Sequence, residues 1–576
     1  MIKFIRAVVL LAVVTGLLML IPAQTRAACV SGACVGAGPR LASVNTTQSV
    51  LLNALLGNLL GTSLNLSVLD WNAIATNDLN LGLVIVNLQS QLGVSTPSQV
   101  LTTSATGNQI LTALINVAQT TGNTTLVSAL NNLRSQVNGL NNTILLGDLL
   151  SVSVPNGALT GVNINVLDFL TGIIQLYNFR NVVSTPAPIG ITGSALGLNG
   201  VLNSVQLYAQ VVEPPVFRCG GPNSQFHTAA IRIKLNLDLV DLNPSASILN
   251  IPLTIAGAAV TIGQLDLYIE VARAEGMINA INTVSHAVSL QVTPGVADAY
   301  IGSIPDNLFF NRLHVIDATN DLTYGTIGAL TVNAITVAIR AKAAARGQAP
   351  FTTNLVFNGP FPQTQTASTS AAFAANLLSS LVNNLQIQLT PSLGVLDVLI
   401  LPTLKTIVAV ALTAPLTTVL TSLVDPVLEL LGIGLGEAEV TVFGYAEYCT
   451  PAIGLAKSVT PGGPQVPGTD LNYSIVFTNT GGSGASNIVI SDSLPANTDF
   501  KLGSIVNNPG TSGVVISISY SNDHGSTWTY TPVSAAGGAP TNYDRLVTDI
   551  RWTVAGSLTQ VAPNNTATVS FTSRIR

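Results

Sequence analysis

Apolar residues recur at helical spacing over 46–180 and at every second position over 186–449. Leu126, Leu130, Leu133 and Val137 fall at i, i+4, i+7 and i+11, one stripe of a helix that Gly139 is placed to end. Gln109–Ala118 and Ser49–Leu60 show similar recurrence. Asn165 is placed to cap a further helix whose face is Leu167, Leu170, Ile174 and Tyr177. Asp168 falls in its first turn, where the helix dipole favours an acid. These segments carry almost no ion pairs, so tertiary packing must hold them.

The period then changes. Ile231, Ile233, Leu235, Leu237 and Leu239 alternate with Arg232, Lys234, Asn236, Asp238 and Val240, which predicts a strand with one apolar and one wet face. Leu265–Ala272 and Ile335–Arg340 alternate in the same way. Most of the rare charges fall on these outer faces, so the expectation is a solvated sheet face. Residues 406–424 carry no charge and approach the length of a membrane span. Pro415 and Pro426 sit where first-turn prolines would, and Thr413, Thr417 and Thr421 make a polar stripe. This predicts two shorter amphipathic helices and argues against a span.

From residue 451 the rhythm shortens. Pro451, Pro461-Gly462-Gly463-Pro464 and Pro467-Gly468 read as a linker and an entry turn. Strands are predicted at Leu471–Thr478, Asn487–Ser491, Val514–Tyr520, Thr527–Thr531, Asp549–Val554 and Ala567–Ile575. This spacing suggests an immunoglobulin-like β-sandwich with Trp528 and Trp552 as anchors. The fold class is therefore multidomain α+β. It comprises a helical region (45–180), a β-rich region with helices (181–450) and the sandwich (451–576).

Composition adds location. Lys3 and Arg6 precede an apolar run from Ala7 to Ile21, Pro22 breaks it, and small residues permit cleavage after Ala27 or Ala28. Residues 1–28 thus read as a signal peptide, and the protein as exported to the periplasm, the cell surface or the medium. Arg26 departs from a lipoprotein signal. In an oxidising compartment the four cysteines, Cys29, Cys34, Cys219 and Cys449, favour two disulfides. Three connectivities are open, of which Cys29–Cys34 with Cys219–Cys449 is the local choice. Only 8% of the 576 residues are charged, against about 25% in an ordinary soluble protein, and the 48 asparagines outnumber the 21 Lys and Arg twofold. The net charge of −5 forms no strong field. Nucleic-acid binding, which needs clustered cations, is excluded on this basis. No phosphate-loop motif supports nucleotide binding.

Two resemblances follow from local motifs. Residues 456–576 resemble the bacterial conserved-repeat surface domain, the eleventh catalogued domain of unknown function. The matching residues are Val466-Pro467-Gly468-Thr469-Asp470-Leu471-Asn472-Tyr473, Phe477-Thr478-Asn479-Thr480-Gly481, Ile490-Ser491-Asp492-Ser493-Leu494-Pro495 and Tyr520–Trp528. His524 stands where many members have a second glycine. The resemblance implies an immunoglobulin-like module on exported proteins, without catalysis. Residues 45–450 resemble the periplasmic region of TadG-like (Flp pilus-assembly) proteins. This likeness rests on Ser67-Val68-Leu69-Asp70-Trp71, Leu145–Leu150, Asn165–Leu170, Glu213-Pro214-Pro215, His227–Arg232, Ile269–Glu275 and Leu435–Val440.

Candidate chemistry is sparse. HExxH, G-x-S-x-G and EF-hand spacings do not occur. Gly432–Gly436 and Gly481–Ala485 read as turns. His227, His286, His314 and His524 have no second histidine at ligand spacing. Asp470, Asp492 and Asp523 read as turn caps more readily than as Ca²⁺ ligands. No catalytic, cofactor or metal residue is assigned. The function expected is a non-catalytic structural or adhesive surface protein with protein or cell-surface partners. The alternatives are an envelope accessory factor in pilus or secretion assembly and, remotely, a hydrolase with a dispersed triad.

Overall fold

The computed structural model describes residues 30–137, 139–154, 156–181, 186–242, 259–282, 284–332, 334–347, 351–368 and 373–576. The chain divides into two compact units, Ser31–Ala446 and Glu447–Arg576.

The first unit opens on β1 (Val30–Ala37) and builds six main helices: α1 (Thr46–Leu60), α2 (Val68–Ala75), α3 (Leu81–Leu92), α4 (Gly107–Thr120), α5 (Thr124–Val137) and α6 (Val166–Asn181). With few charges available, amides and hydroxyls cap them. The Asn45 side chain accepts from Gln48 N while the Gln48 side chain accepts from Asn45 N, and Gly61 closes α1 at φ 72°. Ser67 and Asp70 form the same box on α2. Asn165 caps α6 as expected, accepting from Leu167 N at 3.0 Å. However, α6 is buried on every side from Val166 to Asn178 apart from Asp168. Its amides compensate: Gln175 donates to Leu431 O at 2.6 Å and Asn178 to Leu59 O at 3.1 Å.

Nine main strands follow: β2 (Ile189–Thr192), β3 (Leu202–Glu213), β4 (Phe217–Gly220), β5 (Ala230–Leu242), β6 (Ala259–Val271), β7 (Ala297–Ile301), β8 (Gly325–Val332), β9 (Ile335–Arg346) and β10 (Gln386–Thr390). All except β4 join one eight-stranded antiparallel sheet. Its order runs β2-β3-β5-β6. Then β7 and β8 lie end to end between β6 and β9, with β10 beyond. The predicted alternation holds in register: Ile233 pairs with Ile269 and Leu235 with Leu267, and this face is buried with the helices in one continuous core. β4 pairs with β1, placing Cys34 opposite Cys219.

The chain then forms α7 (Phe373–Asn383), α8 (Val395–Val419) and β11 (Glu437–Tyr448). The expectation of two helices separated by proline is corrected. α8 runs on through a π-turn to Leu430, a continuous helix of 36 residues with Pro402, Pro415 and Pro426 inside it, of which only Pro426 stands in a first turn, that of the segment after the π-turn. Burial of Ile400, Leu404, Val408, Leu412, Leu416 and Val419 outweighs the about 3 kcal/mol cost of each internal proline. The threonine stripe is exposed as expected, and Thr413, Thr417 and Thr421 donate to the carbonyls four residues back. By length and composition this helix could cross a bilayer; Val395, Val398 and Leu399 near its start are exposed.

The second unit contains β12 (Ile453–Thr460), β13 (Asp470–Asn479), β14 (Ala485–Ser493), β15 (Val515–Ser521), β16 (Asp549–Leu558) and β17 (Thr566–Ile575), with shorter strands between. One sheet contains β12, β13 and β17, and the other is ordered β14-β16-β15. Ile475, Phe477 and Phe571 of the first meet Ile490 and Trp552 of the second in a shared core. β12 occupies a stretch read as linker. Residues 527–529, expected within a strand, instead belong to a turn in which Asp523 accepts from Thr527 N at 2.8 Å and from the Ser521 hydroxyl at 2.6 Å. His524 takes φ 56° there, a left-handed geometry that favours glycine.

Candidate functional site

The outer face of the eight-stranded sheet is where the rare charges collect. Asp238, Gln264 and Thr336 are exposed as the alternation suggested, but around Arg232, Tyr268 and Tyr300 the face is covered. Residues 302–324, which join β7 to β8, leave the sheet and return to it, and Ser303 and Thr323 exchange both backbone hydrogen bonds at the neck. This strap lies over the polar face. Phe309, Phe310, Ile316 and Leu322 pack with Tyr268 and Tyr300 of the sheet in a separate apolar cluster. Arg232 on β5 is 2% exposed. Its guanidinium donates to Glu270 Oε1 at 2.6 and 2.8 Å and to the strap carbonyls of Phe309, Asn311 and His314 at 2.6–2.9 Å. Lys234 donates to Asp306 Oδ1 at 2.7 Å and lies over the rings of Tyr208 and Tyr268. Burial works against the Lys234 ammonium, but the Asp306 hydrogen bond and the charge interactions with Tyr268, Asp306 and Asp266 together outweigh it and raise its pKa.

A second arginine works in the opposite direction. Arg312 reaches back from the strap and donates from Nε to Val211 O on β3 at 2.8 Å and from Nη2 to Asn178 O on α6 at 3.2 Å. Val211 N in turn donates to Asn178 Oδ1. The edge of β3 at this point is therefore closed by side chains instead of another strand. No carboxylate pairs with Arg312 among the described residues, and burial alone pulls its pKa down. Arg312 and Arg180 both lie over Phe179, 5.3 and 5.7 Å from the ring centroid. Together with Gln210, Glu213, Asp306 and Asn311 these residues line an open groove of about 1010 Å³. Gln210 is 1% exposed and its Oε1 has no hydrogen-bond partner. Arg232, opposite it across the β3–β5 pair, is already committed to Glu270 and the strap.

A different arrangement lies where β1, α6, α8 and β11 meet. A cavity of about 30 Å³, enough for about two waters, is lined by Asp168, Thr171, Gln175, Glu429 and Thr441 among others. Burial pushes Asp168 up to about 7; Arg40 pulls it down, and Asp78 and Glu439 add to the rise. Asp168 stands in the first turn of α6 as expected, but burial opposes its charge there more strongly than the dipole favours it. Burial also pushes Asp425 up to about 6, reinforced by Glu437 and Glu429, and its Oδ1 is buried without a partner.

The expected cysteine pairing is corrected. Cys34 bonds to Cys219, with Cα atoms 4.0 Å apart, because antiparallel pairing of β1 with β4 sets them side by side. Cys29–Cys34 is thereby excluded as the bridge. Cys449 is also disulfide-bonded. Cys29, Ala27 and Ala28 lie outside the described residues.

The histidines are not brought into one site. His314 Nε2 is 2.8 Å from Asp321, His227 Nδ1 contacts Thr228 O, His286 stacks on Tyr445, and His524 occupies its turn. No serine hydroxyl bonds either imidazole that faces an acid, among the described residues. Asp470 is taken up by Arg574, Lys501 and Tyr543, Asp492 by Lys457, and Asp523 by its turn. Among the described residues no three His, Cys, Asp or Glu side chains are grouped to hold a metal.

The groove residues Gln210 and Arg312 were not anticipated. The one sequence signal was the density of Asp306, Arg312, His314, Asp317 and Asp321 in so uncharged a chain.

Residues 48–175, from α1 into α6, match a family described as a domain of unknown function (DUF8293). No curated protein matches the chain. Among solved structures, the chain is similar to the N-terminal domain of an adhesin from Streptococcus gordonii. That similarity has 8% identity and a TM-score of 0.14, and covers 65% of this chain and 76% of that one.

Proposed function

We propose that this is an exported, non-catalytic surface protein whose role is contact or adhesion. The carrying observation is the Cys34–Cys219 bridge, which joins two strands 185 residues apart and is the kind of bond that persists in an oxidising compartment. The leader-like residues 1–28 support the same reading. So do surfaces built from Asn, Ser and Thr, since uncharged hydroxyls and amides suit hydrogen-bonded contact without long-range charge steering. Within this proposal the unit Glu447–Arg576 is an immunoglobulin-like module of the conserved-repeat surface type. Its two sheets around Trp552 and the left-handed His524-Gly525 turn agree with that assignment.

The test is fractionation with labelling of intact cells by a membrane-impermeant reagent, combined with thiol counting under denaturing conditions. The expected result is a labelled, thiol-free chain that begins after Ala27 or Ala28. Recovery from the cytoplasm with Cys34 and Cys219 reduced would refute the proposal. Retention with pilus-assembly partners would replace adhesion by an accessory role.

A further inference from the structure

We infer that the groove between the strap, β3 and the end of α6 binds a polyhydroxylated carboxylic acid, an acidic sugar of the uronate type, with its carboxylate on Arg312 and a hydroxyl on Gln210. The reasoning starts from what the groove leaves unmet. Arg312 is half-buried and has spent Nε and Nη2 on the carbonyls of Val211 and Asn178. Among the described residues its Nη1 has no partner and no carboxylate pairs with the group, so an anionic oxygen is the missing complement. Gln210 Oε1 is a buried acceptor with no donor in reach, although Arg232, the nearest cation across the sheet, is committed elsewhere. An orphaned buried acceptor has given up its hydrogen bond to water, which a ligand hydroxyl would replace.

One molecule that carries both an acid and hydroxyl donors meets both needs. Of the other lining groups, Glu213, Asp306, Asn307 and Asn311 are acceptors and amides suited to further hydroxyls, and Val212, Phe310 and Leu313 are apolar. A peptide fits less well. The β3 edge is closed by Asn178 and Arg312, so no strand can be added there, and the guanidinium groups of Arg180 and Arg312 already lie against Phe179. The volume of about 1010 Å³ accommodates one or two sugar rings. The inference depends on the surface-protein reading only for where such binding would operate. Fractionation tests that reading, and binding in solution tests the groove.

The experiment is calorimetric or NMR titration of the mature full chain with D-glucuronate, D-galacturonate and N-acetylneuraminate, with D-glucose and acetate as controls. At least one acidic sugar should bind saturably, about tenfold or more tighter than both controls. Gln210→Leu should weaken that binding about tenfold without lowering the melting temperature. Arg312→Gln should remove the preference for the acid over glucose. If Arg312→Gln fails to fold, Gln210→Leu decides alone. Equal binding of acetate, equal binding of glucose, no saturable binding, or unchanged affinity in Gln210→Leu would each overturn the inference.

Discussion

Among the described residues, carboxylic acids raised by burial are confined to the first unit, whereas the shifted carboxylic acids of the second are all lowered. In Ser31–Ala446, Asp168 and Asp425 are desolvated beside other carboxylates, with pKa values pushed up to about 7 and about 6, and Glu429, Glu439 and Asp298 are raised by burial as well. In Glu447–Arg576, the carboxylates are supplied with donors. Asp470 accepts from Arg574, Lys501 and Tyr543, and Asp499 from Arg545 and Arg576. Asp470 and Asp523 are held down at about 2, and Asp499 is lowered. The first unit relies on a large apolar core and a disulfide, and these five acids are placed at a cost, whereas Asp70, Asp317 and Asp321 of the same unit are lowered by hydrogen-bond donors. The smaller unit has a smaller core, and its acids are part of what closes the sheets. The lesson is that a low overall charge does not set how charge acts locally: partners do.

The largest expected break in this contrast is the disulfide. Replacing Cys34 and Cys219 together by alanine frees a loop of 185 residues and should cost the first unit about 5 kcal/mol in the chain-entropy account. Hydrogen exchange resolved by unit checks it: protection should fall in β1, β4 and α6 and stay unchanged in β13 and β17. The next effect is at Arg232. Arg232→Leu leaves Glu270 and the strap carbonyls of Phe309, Asn311 and His314 without their donor and should cost about 3 kcal/mol. Limited proteolysis should then cut within 302–324 first, because that guanidinium holds the strap to the sheet.

Much of this contrast could not be read along the chain. The local signals were sound: Asn165 caps α6, the β5–β6 alternation sets the register, and the Trp552 strand sits in the core. Each is fixed by residues within a few positions. What failed depended on pairing at a distance. Cys34 meets Cys219 because β1 joins β4, not because Cys29 is near in sequence. The charged face of β5 was read as wet because alternation reports one buried face and is silent about a strap that covers the other. The prolines of α8 obey burial over local propensity, and β12 was hidden among prolines that mark its ends. Gln210 and Arg312 belong to the same class, since their lack of partners exists only in three dimensions.

The acid-side behaviour sharpens the comparison further. Asp168 keeps its proton in the folded state up to about pH 7 but has an ordinary value of 3.8 when unfolded. Between about pH 4 and 7 the folded first unit therefore holds one more proton than the unfolded chain. Its stability is full below that window and falls by about 1.4 kcal/mol per pH unit as pH rises through it. Asp78, Glu439 and Arg40 face this group, and the like charges of the first two maintain the rise. Asp168→Asn should flatten the slope and raise stability at pH 8. A denaturation series of the variant against the parent between pH 4 and 8 checks it. An undiminished slope would move the effect to Asp425 and its neighbours Glu429 and Glu437.

The smallest expected effect runs the other way. Asp470 is ionised in the folded second unit down to about pH 2, whereas it titrates near 3.8 when unfolded. Burial opposes ionisation there, and the hydrogen bonds from Arg574, Lys501 and Tyr543 outweigh it. Its contribution is complete above about pH 4 and is lost as pH falls toward 2. The cluster is partly open to water, so screening reduces the contribution to about 1 kcal/mol. Asp470→Asn should therefore lower the stability of Glu447–Arg576 by that amount at pH 7 and by only a small fraction of it at pH 2. Exchange protection in β13 and β17, read at both pH values, distinguishes this from a packing defect. A packing defect would cost the same at either pH, whereas loss of an ionised hub must disappear once the parent carboxyl is itself protonated.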